Sequence, residues 1–255
     1  MSLLETINTF DKISLEEMDS VKLMNRTDTK FTFNEIHLNE ILASVRDNYK
    51  ILEINNKRAS TYYTLYYDTP SLDLYMKHQN GGLNRYKVRH RTYVDSSIGF
   101  LEVKFKNSKE RTIKTRIKKK EVPTQFQDES ESFLKSQVPF DPMTLVPSVW
   151  VNYSRITLVS KTTQERLTID TGLEFVREGQ HYKMENLVIA EVKQDRKQVS
   201  RFIELMKKLH IREGGISKYC LAVISTVPKI KMNSFKPKLI SLKKIIPHVP
   251  LANLC

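Results

Sequence analysis

Four cations occupy every second position of one short stretch of the chain, "NRYKVRHR" at residues 84–91. Because successive side chains of a β-strand point to opposite faces, Arg85, Lys87, Arg89 and Arg91 share one face if the stretch is a strand. In a helix the same side chains would spread around the axis. A strand with four positive charges on one side needs negative charge nearby, and this requirement constrains the fold more than any other feature of the sequence.

The positive charge of the chain is concentrated in two regions. The formal net charge is +13, and residues 77–120 alone hold 14 Lys or Arg against three acidic residues. The segment 229–255 adds six lysines and no acidic residue. Basic regions this dense predict an anionic partner: a phosphate compound, nucleic acid or an acidic membrane surface.

The sequence disfavours several other classes of protein. No stretch approaches 18 consecutive apolar residues, so we expect no transmembrane helix. The first 20 residues contain acids and no continuous apolar segment, so we expect no signal peptide. The two cysteines, Cys220 and Cys255, show no metal-ligand spacing. So few cysteines predict no disulfide framework, which is typical of proteins in a reducing compartment. We therefore expect a cytoplasmic protein.

Alternation of polar and apolar residues, or a run rich in Tyr and Thr, predicts seven further strands. With residues 84–94 they are 26–33, 60–68, 98–106, 111–119, 151–160, 164–177 and 186–194. A one-sided sheet with a solvated face explains such alternation. However, the polar positions of neighbouring strands carry mostly cations, and two like charges about 6 Å apart repel by about 3 kcal/mol. The pattern therefore favours a face that receives anions.

A Glu-Val-Lys sequence occurs twice on the cation-bearing strands, at 102–104 and at 191–193. In each copy the carboxylate and the lysine share one face, because they are two residues apart. A divalent metal bound together with phosphate would need both types of side chain: carboxylate oxygens for the metal, and Lys or Arg for the phosphate oxygens. The repetition predicts a phosphate site that includes a metal.

If the charged faces line an interior, the sheet must close on itself. A closed barrel with room for a ligand needs about eight strands, which equals the number predicted. We therefore predict an α+β fold with a closed antiparallel β-barrel tunnel of about eight strands and a polar, cationic lumen. Helices over 35–47, 196–210 and 217–226 would cover its outside. One domain over residues 1–228 and a basic tail over 229–255 complete the predicted organisation.

Seven short motifs, in order along residues 20–226, resemble the VTC domain, the polyphosphate-polymerase branch of the triphosphate tunnel metalloenzymes. They are "RTDTKF" (26–31), "YYDTPSLDLY" (66–75), "NRYKVRHR" (84–91), "FLEVK" (100–104), "YSR" (153–155), "IAEVK" (189–193) and "SKY" (217–219). The resemblance implies an antiparallel tunnel fold. It also implies transfer of the γ-phosphoryl group of ATP to a growing polyphosphate chain, with Mn²⁺ or Mg²⁺ as cofactor.

The resemblance also implies roles for individual residues. The phosphates would be held by Lys30, Arg89, Arg91, Lys104, Arg155 and Lys218. Tyr153 would hydrogen-bond a phosphate, Glu191 would hold the metal, and Glu102 would orient its neighbours. Lys77, Lys193 and Arg116 are further candidates for substrate binding.

The sequence departs from the family pattern at three places. The first strand of the wider superfamily carries two acidic residues before its lysine, whereas residues 26–30 read Arg-Thr-Asp-Thr-Lys. A family arginine after the "DLY" turn is replaced by Lys77 or His78, and a basic residue that often precedes "SKY" is Gly215. These changes weaken the expected metal and phosphate contacts.

Two other functions compete with the polymerase interpretation. The same tunnel with water as acceptor would be a triphosphate hydrolase, and a module without catalysis would bind polyphosphate or nucleic acid. We do not expect nucleic acid, because carboxylates such as Glu102 and Glu191 are rarely central in its binding surfaces. The basic tail would let the protein associate peripherally with an anionic membrane, at its inner face, or with a membrane protein.

Overall fold

The computed structural model describes residues 2–19, 27–109, 111–195 and 198–246, and within these ranges the chain forms eleven β-strands and eight α-helices. The strands are β1 (Asp11–Ile13), β2 (Thr27–Asn34), β3 (Tyr49–Leu52), β4 (Ala59–Asp68), β5 (Arg85–Tyr93), β6 (Ile98–Lys106), β7 (Thr112–Lys118), β8 (Val146–Ser160), β9 (Glu165–Arg177), β10 (Gln180–Lys183) and β11 (Leu187–Gln194). The helices are α1 (Leu3–Asn8), α2 (Leu15–Asp19), α3 (Leu38–Val45), α4 (Asp73–Gln79), α5 (Asp128–Gln137), α6 (Arg201–Lys208), α7 (Lys218–Thr226) and α8 (Lys236–Ile245).

All eleven strands belong to one sheet. Its main path is β2-β11-β9-β8-β4-β5-β6-β7, and every neighbouring pair along this path is antiparallel. The short β10 pairs with β9, and β1 pairs in parallel with β3, which itself pairs with one end of β8. The eight strands of the main path are the eight that alternation predicts. The three short strands have no clear alternation and were missed.

The predicted closed barrel was wrong, because this sheet is open. Its two terminal strands, β2 and β7, do not pair with each other in the described structure. The outer edge of β2 is covered instead by the segment before α7: Phe31 bridges to Glu213, and the Gly214 amide donates to the Lys30 carbonyl at 2.8 Å. A chain segment therefore occupies the middle of the β2 edge that barrel closure would have used.

The open sheet is nevertheless strongly curved. Lys30 lies on β2 at one end of the strand order and Lys87 lies on β5 toward the other end, yet residues 215–217 contact both: the Lys30 stem lies beside Gly215, and Ser217 accepts a hydrogen bond from Lys87 at 2.7 Å. One short segment can contact both strands only if the sheet bends around it. The polar positions of the strands therefore converge on one concave surface, which we call the cationic face.

The apolar positions form the outer side of the sheet, and helices cover them. Leu38, Ile41 and Leu42 of α3 and Phe202 and Met206 of α6 are buried against the half of the sheet that contains β2, β11 and β9. The other half is covered by α5 and by the loops that flank it, in a cluster that includes Val88, Leu101 and Leu134. The first layer places α3 and α6, which lie within the predicted helices 35–47 and 196–210, on the apolar side of an open sheet in place of the outside of a barrel.

Helix α7 lies on the other side, contrary to the prediction that it packs outside. Every residue from Tyr219 to Thr226 is buried, and Tyr219 stacks on Tyr66 at 4.9 Å between ring centroids. Tyr66 lies opposite Arg89 in the register of β4 and β5, and its hydroxyl accepts a hydrogen bond from Arg89. Tyr66 is therefore on the same side of the sheet as the charged residues. Helix α7 therefore fills one end of the concave side of the sheet, and its N-terminus borders the cationic face.

The basic segment after residue 228 contains the helix α8, which the sequence did not predict. Leu239 and Leu242 of α8 are buried in the same apolar cluster as α7, β8 and β9, whereas Ile240 is exposed. The side chain of Asn34 donates a hydrogen bond to the Ile245 carbonyl at 2.9 Å. Residues 247–255 of the predicted tail, and Arg26 of the first motif, lie outside the described residues. The boundary at residue 228 stays a prediction.

Candidate functional site

The cationic face is built around three carboxylates, each of which contacts two basic side chains. The first is Glu191 on β11, which lies opposite Lys30 on β2 in the antiparallel register. Lys30 Nζ is 3.1 Å from Glu191 Oε1, and Lys193 donates to Glu191 Oε2. Burial raises the pKa of Glu191, but Lys193 and Lys30 outweigh it and hold that pKa well below its ordinary value. The carboxylate therefore stays ionised at neutral pH.

The second carboxylate is Asp170 on β9, which is only 3% exposed. Arg155 donates to it through two nitrogens, with Nε–Oδ1 at 2.5 Å and Nη2–Oδ2 at 2.8 Å, and Lys218 at the start of α7 donates at 2.5 Å. Burial raises the pKa of Asp170, but Arg155 and Lys218 lower it to about 2. Asp170 therefore holds a strand residue and a helix residue in fixed positions on the face.

The third carboxylate is Glu102 on β6, which is 1% exposed. Arg89 contacts Glu102 Oε2 through Nε at 2.8 Å and Nη2 at 2.7 Å, and Lys114 contacts Oε1. Burial raises the pKa of Glu102, but Arg89, Arg91 and Lys114 lower it to about 2. Arg89 Nη1 also donates to the Tyr66 hydroxyl at 3.1 Å, so this guanidinium is held at three points.

Two lysines between these groups differ from the others. Lys87 and Lys104 lie opposite each other on β5 and β6, and no carboxylate contacts either of them in the described structure. Lys87 Nζ donates to the Ser217 hydroxyl at 2.7 Å. Burial and the charges of Lys87, Lys30 and Arg89 lower the pKa of Lys104 to about 7. We call Lys87 and Lys104 the uncompensated pair, since no carboxylate contacts either side chain in the described structure and burial lowers the pKa of both.

Arg91 and Tyr153 occupy a neighbouring part of the face. Arg91 is buried, donates to the Thr64 hydroxyl at 3.3 Å and lies over the Tyr62 and Tyr153 rings. The Tyr153 hydroxyl is buried and has no hydrogen-bond partner among the described residues. A buried hydroxyl without a partner is costly, so this group fits a donor that awaits a ligand oxygen.

The structure thus brings nearly all the predicted site residues together. Lys193 joins the Glu191 group, and Arg116 lies at the rim, where its guanidinium carbon is 4.2 Å from the centre of the Phe100 ring. Lys77 is the exception: it is exposed on α4, with its stem against Gly82, and no hydrogen bond or ion pair joins it to the face among the described residues. His78 lies beside α7, where its Nδ1 is 3.0 Å from Cys220 Sγ, and burial together with the charges of Lys87 and Arg85 lowers its pKa to about 3.

Lys87 and Asp170 are among the residues of the face that are absent from the predicted site. For Lys87 the available signal is its parity with Arg89 and Arg91. For Asp170 the sequence offers only a polar position on its strand. Its role depends on contacts with Arg155 and Lys218, which lies 48 residues away along the chain.

Gly215 explains how the face accommodates Lys30. A Cβ atom at residue 215 would lie 2.8 Å from Lys30 Cβ and 2.9 Å from Lys30 Cδ, which is closer than real Cβ contacts. The glycine therefore leaves space for the stem of Lys30. A basic side chain at residue 215 would compete with Lys30 for the same volume.

A metal held by protein ligands alone does not fit this face. Among the described residues no group of three or more His, Cys, Asp or Glu side chains is placed to hold a metal ion. Lys193 Nζ, which contacts Glu191, lies 3.7 Å from Asp28, so an ammonium group stands between two carboxylates. Mg²⁺ commonly binds through one or two carboxylates together with substrate phosphates. Glu191 and Asp28 fit that kind of shared site.

Comparison with known proteins adds a family match. The family model of the VTC domain matches residues 25–227 of this chain. The comparison with curated proteins gives no significant match.

Several solved structures are similar to this chain at low identity. One is a protein from Pyrococcus horikoshii OT3, at 14% identity and a TM-score of 0.43, with 77% of this chain and 95% of that chain covered. Another is an adenylyl cyclase candidate from Hippeastrum described as having a dominant triphosphatase activity, at 13% identity and a TM-score of 0.45, with 78% and 95% covered. A third is an adenylate cyclase candidate from Bacillus halodurans, at 13% identity and a TM-score of 0.44, with 76% of this chain and 96% of that chain covered.

Proposed function

Because the chain belongs to the VTC domain family over residues 25–227, we propose that its cationic face transfers the γ-phosphoryl group of ATP to a growing polyphosphate chain. The observation that carries the proposal is the uncompensated pair, Lys87 and Lys104, in the midst of cations anchored by carboxylates. Phosphate oxygens at this position would supply the missing negative charge and remove the repulsion between the lysines.

The anchored cations suit phosphoryl transfer, which needs positioning and charge stabilisation more than covalent chemistry. Arg89 and Arg155 are held by Glu102 and Asp170 before any substrate arrives, so little reorganisation is needed when phosphates bind. Lys218 and the N-terminus of α7 add positive charge at the same border of the face. The Tyr153 hydroxyl would donate to a phosphate oxygen.

The reaction needs no general base from the protein. The terminal oxygen of a polyphosphate is already an anion at neutral pH and can attack directly. Mn²⁺ or Mg²⁺, bound through Glu191 and Asp28 together with substrate phosphates, would neutralise charge on the transferred group. Displacement of the Lys193 ammonium from Glu191 would free the carboxylate for that role.

A hydrolase is the second candidate, and the open sheet favours it. In a closed tunnel the walls would limit the access of water, whereas here β2 and β7 do not pair with each other in the described structure. Water in place of the acceptor phosphate would release inorganic phosphate. The same residues would then support a triphosphatase.

One assay distinguishes these reactions. The full chain is incubated with ATP and Mn²⁺ or Mg²⁺, and ADP, inorganic phosphate and long-chain product are measured separately after electrophoresis. A polymerase gives ADP in amounts equal to the phosphate in long chains. A hydrolase gives ADP and inorganic phosphate, and absence of any ATP consumption would refute both. Lys104→Met should lose activity, while Lys183→Met, an exposed lysine of β10, should keep it.

Location is a separate proposal. No helix among the described residues has both the length and the apolar character needed to cross a membrane. We propose a cytoplasmic protein whose α8 lysines allow peripheral binding to an anionic membrane. Because Leu239 and Leu242 are already buried in the core, this binding would be electrostatic. Replacement of Lys236, Lys238 and Lys244 by Ser should abolish sedimentation with anionic vesicles. Sedimentation that does not change would refute the proposal.

A further inference from the structure

One end of the cationic face carries aromatic rings in addition to charge. Tyr62, Tyr93 and Phe100 are half-buried and have the same strand parity as Arg89, Arg91 and Glu102. Tyr62 and Tyr93 have ring centroids 5.0 Å apart, and Tyr93 and Phe100 have theirs 5.9 Å apart. The three rings form one cluster across β4, β5 and β6, which we call the aromatic end.

Cations line the border of the aromatic end. The Arg116 guanidinium carbon lies 4.2 Å from the centre of the Phe100 ring, and the Arg91 guanidinium carbon lies 5.4 Å from the centre of Tyr62. An arginine over a ring makes a flat surface of mixed charge and π character. Surfaces of this kind bind the planar bases of nucleotides by stacking.

The opposite end of the same strands has a different composition. Arg85 and Lys106 lie opposite each other there, and they continue the cations of the face. The aromatic residues of that end, Tyr86 and Phe105, belong to the outer side, where they stack on each other at 4.5 Å. The cationic face is therefore asymmetric along its strands: aromatic at one end and cationic at the other.

The uncompensated pair lies between these ends. Lys104 follows Phe100 by four residues on β6, which is about 13 Å along a strand. An extended nucleoside triphosphate spans a comparable length from its base to its terminal phosphate. Inorganic polyphosphate has no planar group that could use the rings.

We propose that Tyr93, Phe100 and Arg116 bind the base of a nucleoside triphosphate, and that its phosphates run along β5 and β6 toward Lys87 and Lys104. The inference deepens the proposed function and rests on it, since it assigns an orientation to the nucleotide substrate. The aromatic end contributes affinity for the nucleoside part. It contributes none for phosphates without a base.

The test compares two ligands that share the same P–NH–P imidodiphosphate unit. Binding of the β,γ-imido analogue of ATP and of inorganic imidodiphosphate is measured by calorimetry with Mg²⁺ and the full chain. Phe100→Leu and Arg116→Gln should weaken binding of the ATP analogue by roughly tenfold, the size of a lost base stack. The same substitutions should leave the affinity for imidodiphosphate unchanged.

Matched variants separate the possible outcomes. Tyr63→Ser alters an exposed tyrosine on the other side of β4 and should change neither affinity. Lys104→Met should weaken both ligands. If the substitutions at Phe100 and Arg116 weaken both ligands equally, or neither, the base site is refuted while the phosphate site stands. If the unmodified chain binds neither ligand, the proposed function itself fails.

Discussion

The cationic face contains two kinds of positive charge, and they behave differently. Arg89, Arg155 and Lys30 each contact a carboxylate that is mostly buried, and these cations are held in the protein alone. Lys87 and Lys104 have no such partner in the described chain, and the pKa of both is lowered, first by burial. Each anchored cation has its counter-charge within the chain, whereas the uncompensated cations would receive theirs from a bound anion. The comparison separates residues that build the face from residues that await its ligand.

Among the substitutions, the largest loss of stability should come from removing an anchor. Asp170→Asn keeps the shape of the side chain but leaves Arg155 and Lys218 buried without a negative partner. We expect the free energy of unfolding to fall by about 3 kcal/mol, as for other broken buried ion pairs. Urea denaturation followed by circular dichroism measures it.

Lys104→Met is the counterpart of that substitution. It removes an uncompensated charge and keeps most of the apolar stem, so we expect stability equal to or above that of the unmodified chain. If both variants lose the same stability, the distinction between the two kinds of charge is wrong.

Ligand binding should produce the next largest effect. Inorganic triphosphate at one hundred times its dissociation constant should stabilise the unmodified chain by about 2.7 kcal/mol. If Lys104→Met weakens binding tenfold, the gain at the same concentration falls to about 1.4 kcal/mol. Thermal unfolding with and without triphosphate gives both values. An equal gain in the two proteins would remove Lys104 from the binding site.

Alkaline pH should relieve the uncompensated pair. The pKa of Lys104 is about 7 when folded and returns to an ordinary 10.5 when unfolded, so the unfolded chain binds more protons between these values. Stability should therefore rise from about pH 7 to about pH 10, with Lys104 adding up to about 1.4 kcal/mol per pH unit. The measurement is the difference in stability between the unmodified chain and Lys104→Met. A difference that does not vary with pH would contradict the lowered pKa.

The smallest effect concerns the space beneath Lys30. Gly215→Ala would place a Cβ 2.8 Å from Lys30 Cβ, and we expect a loss of about 1 kcal/mol, the lower range for overpacking. Gly214→Ala is the matched control, because a Cβ there would meet no atom within 4 Å. Chemical denaturation compares the two. Equal stability would show that Lys30 moves aside without cost.

Much of the site could be predicted because strand alternation is a local property. Arg89 and Arg91 on β5, Lys104 on β6 and Glu191 on β11 could be assigned to polar faces from parity alone. The eight main strands begin and end within a few residues of their predicted bounds, with an exception at β8, which starts earlier, at Val146. Lys87 was not among the predicted site residues, because alternation alone does not distinguish a buried lysine from a solvated one.

The sequence by itself determined which side chains share a face, because the two-residue period of a strand is a consequence of backbone geometry. Only the tertiary structure decided how those faces are used. Residues 213–214 pair with the edge of β2, where β7 would have to pair to close the sheet. Helix α7 lies on the concave side, where Tyr219 stacks on Tyr66 and Lys218 contacts Asp170. Such choices are competitions between distant segments for the same hydrogen bonds and charges, and they have no local pattern.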